Sequence, residues 1–263
     1  MNNIEKKFNL MGANVKLTAT SGVGYNIDVN HDTFTIAAGE NVEVSVVDVD
    51  KADRHLLINV NRSEKNRRGT LITQKAKFLC GHDERDWFVA AIPETYSWVK
   101  NVREAKDALK PAAVHAAEKG IRGKAKNKRR NKARIRQGEW FFIPAPDLVL
   151  PANAIINKDE PISRGGGSKN HYIDEVYRTG GTTVWVCGKY PNGLTEGEHK
   201  RLLARDESAR NLNWQVRTRD AVVYARGNVK HADHATIFLD GWHQVLMNTE
   251  SGARSRSFMS FLD

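Results

Sequence analysis

Short segments rich in valine, isoleucine, threonine and aromatic residues recur throughout the first hundred positions of the chain. In several of them apolar and polar residues alternate, which is the pattern of a strand with one buried face. The gaps between them, such as AAGEN and RSEKNRRG, consist of residues that favour turns. We therefore predict a β-rich N-terminal subdomain over residues 1–95, built from the segments NVKLTAT, FTIAAGENVEVSVVDV, HLLINV, GTLITQKAKFLCG and WFVAAIP.

The pattern then changes to helical spacing. Between Ser97 and Lys110 the residues that recur at intervals of three or four, with charges between them, are Trp98, Val102, Ala105 and Leu109. This spacing predicts an amphipathic helix, and Pro111 either ends it or begins a second short helix. Residues 124–137 are good helix formers as well, although like charges repel one another in a free helix. We therefore predict a helical, strongly basic connecting segment over residues 96–137.

Strand-like segments return after the basic stretch. Thr195 and Glu198 have the spacing of a capping box at a helix start, and HYIDEVYRTGG predicts a short helix. Asp240 and Gly241 predict the turn of a hairpin. We predict an α+β subdomain over residues 138–263, with strands in GEWFFIP, TTVWVCGKY, AVVYARGNVKH, ATIFL and WHQVLMNTE. The chain is then of the α+β class, with two β-rich subdomains of mainly antiparallel sheets joined by the helical basic segment.

Positive charge is concentrated in one short part of the chain, which we call the basic run. The formal net charge is +10, and residues 119–136 contain ten Lys and Arg with no Asp or Glu, so the basic run accounts for the whole excess. A local excess of this kind indicates a polyanionic partner. The basic run lacks the aromatic or leucine-rich face of a helix that lies on a membrane surface, so we expect no membrane partner.

Nucleic acid is the polyanion that the basic run fits best. Its irregular spacing cannot place all the cations on one helix face, which favours contacts to phosphates over reading of bases. A charged linker, or a structural arm that docks on an acidic protein partner during assembly, is the alternative. The predicted binding residues are Lys124, Lys126, Lys128, Arg129, Arg130, Lys132, Arg134 and Arg136, with a second basic cluster at Arg62, Lys65, Arg67 and Arg68. The pattern favours neither RNA nor DNA.

A metal-dependent nuclease or other phosphoester hydrolase is the enzymatic alternative, and histidines near the C-terminus supply candidate ligands for a divalent metal ion. His231 and His234 lie three positions apart, and His243 would lie beside them if a hairpin formed at the predicted turn. Imidazole nitrogens suit zinc, iron and manganese. The alternative is that these histidines are ordinary turn residues.

A second candidate cluster, CGHDERDW, follows an apolar strand and contains His82, Asp83 and Asp86. Cys80 could form a thiolate–imidazolium pair with His82, or the two aspartates could hold a magnesium ion for phosphoryl chemistry. These three residues are the predicted catalytic candidates. The alternative is a charged turn between two strands.

The remaining features are weaker or exclude functions. The glycines of SRGGGSKNH (163–171) could expose backbone amides to a phosphate, and the tail 251–263 could dock through Phe258 and Phe261. Cys80 and Cys187 are expected to be buried thiols rather than a disulfide. The chain lacks a run of about 18 apolar residues and an apolar secretory region near its start, so we expect it in the cytoplasm.

Overall fold

The computed structural model describes residues 3–21, 24–164 and 169–250. Within these ranges the chain divides into two compact units. The first unit comprises residues 3–115, 121–128 and 248–250, and the second comprises 116–120 and 129–247. The structure does not describe two predicted binding features, which are the phosphate site at the glycines of the 163–171 loop and the docking tail 251–263.

The first unit contains two sheets. One has three strands in the order β1–β3–β2, with β1 parallel and β2 antiparallel to β3, and the other is the antiparallel meander β4–β5–β6–β7. Two short 3-10 helices occupy Glu94–Tyr96 and Gly123–Asn127. The other elements are α1 (Asn3–Leu10), β1 (Asn14–Ala19), β2 (Tyr25–Asn30), β3 (Thr33–Ala38), β4 (Val42–Asp50), β5 (His55–Lys65), β6 (Leu71–Asp83), β7 (Asp86–Ala91), α2 (Val102–Ala108) and α3 (Ala112–Ala117), whose last two residues belong to the second unit.

Strand β5 explains why the meander is buried on both faces. After His55 its residues Leu56, Leu57 and Ile58 are apolar without interruption, and successive side chains of a strand point to opposite faces. Leu56 and Ile58 pack with Phe34 of the three-stranded sheet, whereas Leu57 packs against α2. Burying one such side chain fully contributes about 1.5–3 kcal/mol. Because β5 supplies side chains to the core on both of its faces, it contributes strongly to the stability of this unit.

The second unit is also built from antiparallel sheets. Six strands lie in the order β10–β11–β15–β16–β9–β8, and three more in the order β13–β12–β14. The core of the larger sheet includes Phe142, Ile173, Ala225 and Leu239. A 3-10 helix spans Glu207–Asn211. The remaining elements are β8 (Ile135–Gln137), β9 (Trp140–Pro144), β10 (Ile156–Ile162), β11 (His171–Thr179), β12 (Thr182–Cys187), β13 (Tyr190–Thr195), α4 (Glu196–Arg205), β14 (Gln215–Arg219), β15 (Val222–Lys230) and β16 (Ile237–Met247).

The β-rich, mainly antiparallel architecture is confirmed, and so are several local predictions. The Glu198 carboxylate accepts a hydrogen bond from the backbone N–H of Thr195 at 2.8 Å, as in a capping box. Cys80 and Cys187 are buried free thiols. The predicted helix around Val102 forms as α2, although it is shorter than its periodicity suggested.

A helical basic segment is not confirmed. Gly123 has a positive φ of 63°, and the helical turn that begins there is a 3-10 helix that ends at Asn127. Beyond it the chain forms a tight loop and then enters β8. The repulsion between neighbouring cations disfavours a helix here, and the contacts of the loop, described below, stabilise the other conformation.

Two further local predictions are wrong. HYIDEVYRTGG is strand β11 rather than a helix, because it pairs with β10 and β15 and buries Ile173 and Val176 in the core of the large sheet. Asp240 and Gly241 lie inside β16, where the pairing with β15 shifts register between Ala225 and Gly227. They therefore form a bulge in one strand and do not make the turn of a hairpin.

Candidate functional site

The second half of the basic run forms a closed loop, residues 129–136, which we call the basic loop. Arg130 pairs with Ile135 in an antiparallel bridge, and the backbone N–H of Arg136 donates to the carbonyl of Arg129 at 2.7 Å. At the tip, the side-chain oxygen of Asn131 accepts hydrogen bonds from the backbone N–H groups two and three residues later, at 2.9 and 3.1 Å. Such local side-chain bonds give the backbone N–H groups partners without a helix.

A buried ion pair holds the basic loop in place. Glu118 is 1% exposed, and its carboxylate accepts from Nε of Arg134 at 2.8 Å and from Nδ2 of Asn131 at 3.0 Å. Arg134 is itself 2% exposed and also donates to the carbonyl of Arg129. Arg134, one of the predicted binding residues, therefore stabilises the loop and is too buried to contact a partner.

The other cations of the basic run are mostly at the surface. Lys126 is half-buried, with its Nζ 3.5 Å from the carboxylate of Asp107, and Arg136 is half-buried. Arg130 donates to the carbonyl of Phe238 at 3.4 Å and is otherwise exposed. The exposed members of the basic run are Lys119, Arg122, Lys124, Lys128, Arg129, Arg130 and Lys132.

The second basic cluster lies at the tip of the β5–β6 hairpin in the first unit. Asn66 closes this tip by accepting backbone hydrogen bonds from Arg68 and Thr70, at 2.9 and 3.0 Å. Arg62 is half-buried and pairs with Glu64 at 2.6 Å. The exposed cations of the cluster are Lys65, Arg67 and Arg68.

Three histidines from separate positions in the sequence meet at one end of the large sheet in the second unit, and we call them the histidine cluster. They are His171, His231 and His234, and one potential ligand atom of each lies within 4.8 Å of those of the other two. The pairing of β11 with β15 explains this meeting, because Tyr172 is opposite Lys230. His171, the first residue of β11, therefore lies beside His231, which directly follows β15.

The rings of the histidine cluster stack on one another. The ring centroids of His171 and His231 are 4.1 Å apart, and those of His231 and His234 are 4.6 Å apart. His171 is 1% exposed, whereas the other two are half-buried. Burial, and after it the charges that His231 and His234 can carry, lower the pKa of His171 to about 3. His171 is thus neutral near pH 7, which is the form of imidazole that binds metals.

Within the described residues, neither ring nitrogen of His171 has a hydrogen-bond partner. A buried polar group without a partner costs about 1–3 kcal/mol. Such groups are uncommon in native proteins and often mark a bound water, an ion or a functional role. A bound ligand would supply the partner that the buried imidazole nitrogens of His171 lack among the described residues.

The surroundings of the histidine cluster are close-packed and polar. Gly138, in the turn between β8 and β9, has a φ of 55°, and a Cβ built on it would lie 2.9 Å from Nε2 of His234. The backbone N–H of Asp233 donates to Nδ1 of His231 at 3.1 Å. The Asp233 carboxylate accepts from Nζ of Lys169 at 2.6 Å. Although burial works against its charge, the pKa of Asp233 is lowered by this bond and by the nearby histidines.

His243 is not part of the histidine cluster. It lies in β16 and is 3% exposed, and its Nδ1 bonds to the carbonyl of Gly241 at 2.8 Å. The expected hairpin would have brought it beside His231, and the continuous strand β16 does not. His171 takes the third place instead. No motif identifies His171 in the sequence, since only the register of β11 against β15 brings it there.

The other predicted catalytic residues lie in a tight β6–β7 hairpin. Asp83 pairs opposite Asp86, and His82 has its ring against Trp87, with centroids 4.9 Å apart. Burial raises the pKa of the Cys80 thiol, so it cannot supply a thiolate near neutral pH. In the part of the chain that is described, the histidine cluster is the one group of three or more possible metal ligands, and it includes none of these residues.

Comparison of the chain with protein-family models, curated proteins and solved structures found no match. Among residues 3–21, 24–164 and 169–250, no helix has the length and apolar content needed to cross a membrane.

Proposed function

We propose that this protein binds nucleic acid, RNA or DNA, through phosphate contacts made by the basic run. One observation supports this proposal above the others. Seven of the ten cations between residues 119 and 136 are exposed, while Arg134 alone among them is buried against a carboxylate. An exposed run of cations without interspersed acids attracts a polyanion and releases its counterions on contact.

The conformation of the basic loop strengthens this argument. Arg129, Arg130 and Lys132 lie within four positions on a loop that internal hydrogen bonds and the Glu118 ion pair already order. A binding surface that is ordered in advance loses less conformational entropy on binding. Contacts of this kind go to the phosphate backbone, so we expect weak sequence preference. The tip of the β5–β6 hairpin offers three more exposed cations to the same kind of ligand.

Charge neutralisation with a matched control tests the proposal. The variant R129Q/R130Q/K132Q removes three exposed cations of the basic loop. The control K189Q/R201Q/R210Q removes three exposed cations elsewhere in the second unit, with the same change in net charge. Binding of a labelled 20-nucleotide RNA and of a 20-base-pair DNA is measured by fluorescence anisotropy at 50 mM salt.

We expect the basic-loop variant to bind at least tenfold more weakly than the wild type and the control to change its Kd by less than threefold. Equal Kd values for the two variants would mean that only net charge matters and would contradict the proposal. Circular dichroism checks that both variants are folded.

A metal-dependent nuclease or other phosphoester hydrolase would need a bound ion in addition to the basic run. His82, Asp83 and Asp86 are hairpin residues outside any group of three possible ligands in the described chain, so we do not base a hydrolase on them. An arm that docks on an acidic protein partner has no specific observation in its favour.

A further inference from the structure

We propose that the histidine cluster is a binding site for a first-row transition metal ion, with zinc(II) as the preferred occupant. This inference is independent of nucleic-acid binding. It concerns His171, His231 and His234, one of which the sequence did not identify.

The backbone positions of His171 and His231 are fixed by the pairing of two strands of the large sheet. His171 begins β11 and His231 directly follows β15, so the pairing of these strands sets the distance between them. His234 lies three residues further on, in the connection to β16. The backbone positions of two of the three ligands are therefore set by paired strands before an ion arrives.

The three rings are stacked, with interplanar angles of 24–26°, so coordination requires the nitrogens to approach one another and the rings to turn until their in-plane lone pairs point at one ion. Zinc binds imidazole nitrogens at about 2.0–2.1 Å, so two ligands of a tetrahedral site are about 3.4 Å apart. The potential ligand atoms here lie within 4.8 Å of one another. Rotation of the half-buried rings of His231 and His234 can close this difference.

His171 is the independent observation that points to a ligand. It is 99% buried, as its 1% exposure shows, and both of its ring nitrogens lack partners among the described residues. A histidine that only fills space in a core usually donates one N–H to a carbonyl or carboxylate. Coordination of one nitrogen would give this buried polar group a partner.

The ligand chemistry selects the class of ion. Three imidazoles favour zinc, copper, nickel or iron, whereas magnesium and calcium prefer oxygen ligands. The carboxylate of Asp233, beside the cluster, is bonded to Lys169. Because His231 and His234 are half-exposed, solvent can supply the fourth ligand, and three protein ligands with one open position is the arrangement of zinc sites that act on substrates.

Loading of the ion should be visible at one backbone amide. Nδ1 of His231 accepts a hydrogen bond from the N–H of Asp233. If Nδ1 binds the ion, or if Nε2 binds it and the proton moves to Nδ1, this acceptor is lost in either case. The amide resonance of Asp233 should therefore shift when zinc is added.

The test is a metal titration of the full chain, without an affinity tag and after removal of metals with a chelator. Zinc binding is measured by isothermal titration calorimetry, and cobalt(II) binding by its visible absorption. The variants are H171A and, because a buried substitution can impair folding, also H231A/H234A. The control is H31N, which changes an exposed histidine of the first unit.

We expect the wild type and H31N to bind one zinc ion with micromolar or tighter affinity and to bind magnesium at least 1,000-fold more weakly. H231A/H234A and folded H171A should bind zinc at least 100-fold more weakly than the wild type. The proposal is overturned if the wild type takes up no zinc, if H231A/H234A keeps the wild-type affinity, or if magnesium binds as tightly as zinc.

Discussion

Glu118 and Arg134 show how an individual pair of residues decides the conformation of the segment that we assign to binding. Both side chains are almost completely buried, at 1% and 2% exposure. A buried ion pair is not necessarily more stable than an apolar pair, but removal of one partner leaves an uncompensated buried charge. The ordered state of the basic loop therefore depends on Glu118, which is an acidic residue outside the cation-rich sequence.

Replacement of Glu118 by alanine should reduce the free energy of unfolding of the second unit by about 3–5 kcal/mol, because Arg134 would remain buried without its partner. Urea unfolding followed by circular dichroism measures the change. Glu207, an exposed acid of the same unit, is the control, and E207A should cost less than about 0.5 kcal/mol. A loss for E118A as small as that of the control would show that the pair does not hold the loop.

Gly138 occupies a position where both the backbone conformation and the neighbouring His234 ring favour glycine. A comparison with Gly123 separates its backbone conformation from its contacts. Both have positive φ, at 55° and 63°, but a Cβ on Gly123 meets nothing within 4 Å, whereas one on Gly138 would lie 2.9 Å from Nε2 of His234. G123A should therefore cost only the roughly 1–2 kcal/mol of a left-handed alanine.

G138A should be more destabilising than G123A, and it should weaken zinc binding at least tenfold, because the added methyl group displaces the His234 ring. Thermal unfolding and calorimetry measure the two effects. Equal zinc affinity in G138A and the wild type would mean that the turn between β8 and β9 does not shape the histidine cluster.

At the level of secondary structure, the Asn131 side chain closes the tip of the basic loop. Asn131 accepts two backbone hydrogen bonds and donates to Glu118. Replacing it by alanine leaves every cation in place but should loosen the loop. We expect N131A to bind RNA or DNA about fivefold more weakly, the equivalent of about 1 kcal/mol.

The salt dependence identifies the cause of any change in N131A. Since the number of phosphate contacts is unchanged, the slope of log Kd against log salt should equal that of the wild type. A slope that falls together with the affinity would indicate lost phosphate contacts and would contradict an effect on loop order.

Most strands could be predicted from the sequence because their burial pattern is local. The alternation in the first hundred residues and the apolar start of β5 are visible without any partner strand. The sequence HYIDEVYRTGG predicts a helix although it forms a strand, because its apolar residues Ile173 and Val176 are three apart, a spacing that a helix and an irregular strand can share. A register shift after Ile173, in the pairing with β15, changes the usual alternation.

The candidate sites were only partly predictable for the same reason. The cations of the basic run are evident from the sequence, but the burial of Arg134 and the exposure of its neighbours follow only from the folded loop. Two of the three clustered histidines lie close together in the sequence, whereas His171 is 60 positions before His231. The bulge at Asp240 and Gly241 could not be told from a hairpin turn without knowing that β16 pairs with β15 on both sides of it.

The two units of the molecule do not follow the order of the chain. Residues 96–137 are shared between the units, and the segment 248–250 after β16 returns to the first unit. There the hydroxyl of Thr249 donates to the carbonyl of Ala108 at 2.8 Å, and the Glu250 carboxylate accepts from the backbone N–H of Ala91. Contacts between such distant positions leave no trace in local sequence patterns.

If exposed cations of the basic loop neutralise phosphates, as we propose, the salt dependence of binding reports the number of those contacts. Each phosphate contact contributes about 0.7 to the slope of log Kd against log salt for single strands and about 0.9 for duplex DNA. We predict that R129Q/R130Q/K132Q lowers the wild-type slope by about 2–3 and that K189Q/R201Q/R210Q leaves it unchanged. An identical slope for the wild type and the basic-loop variant would contradict the account.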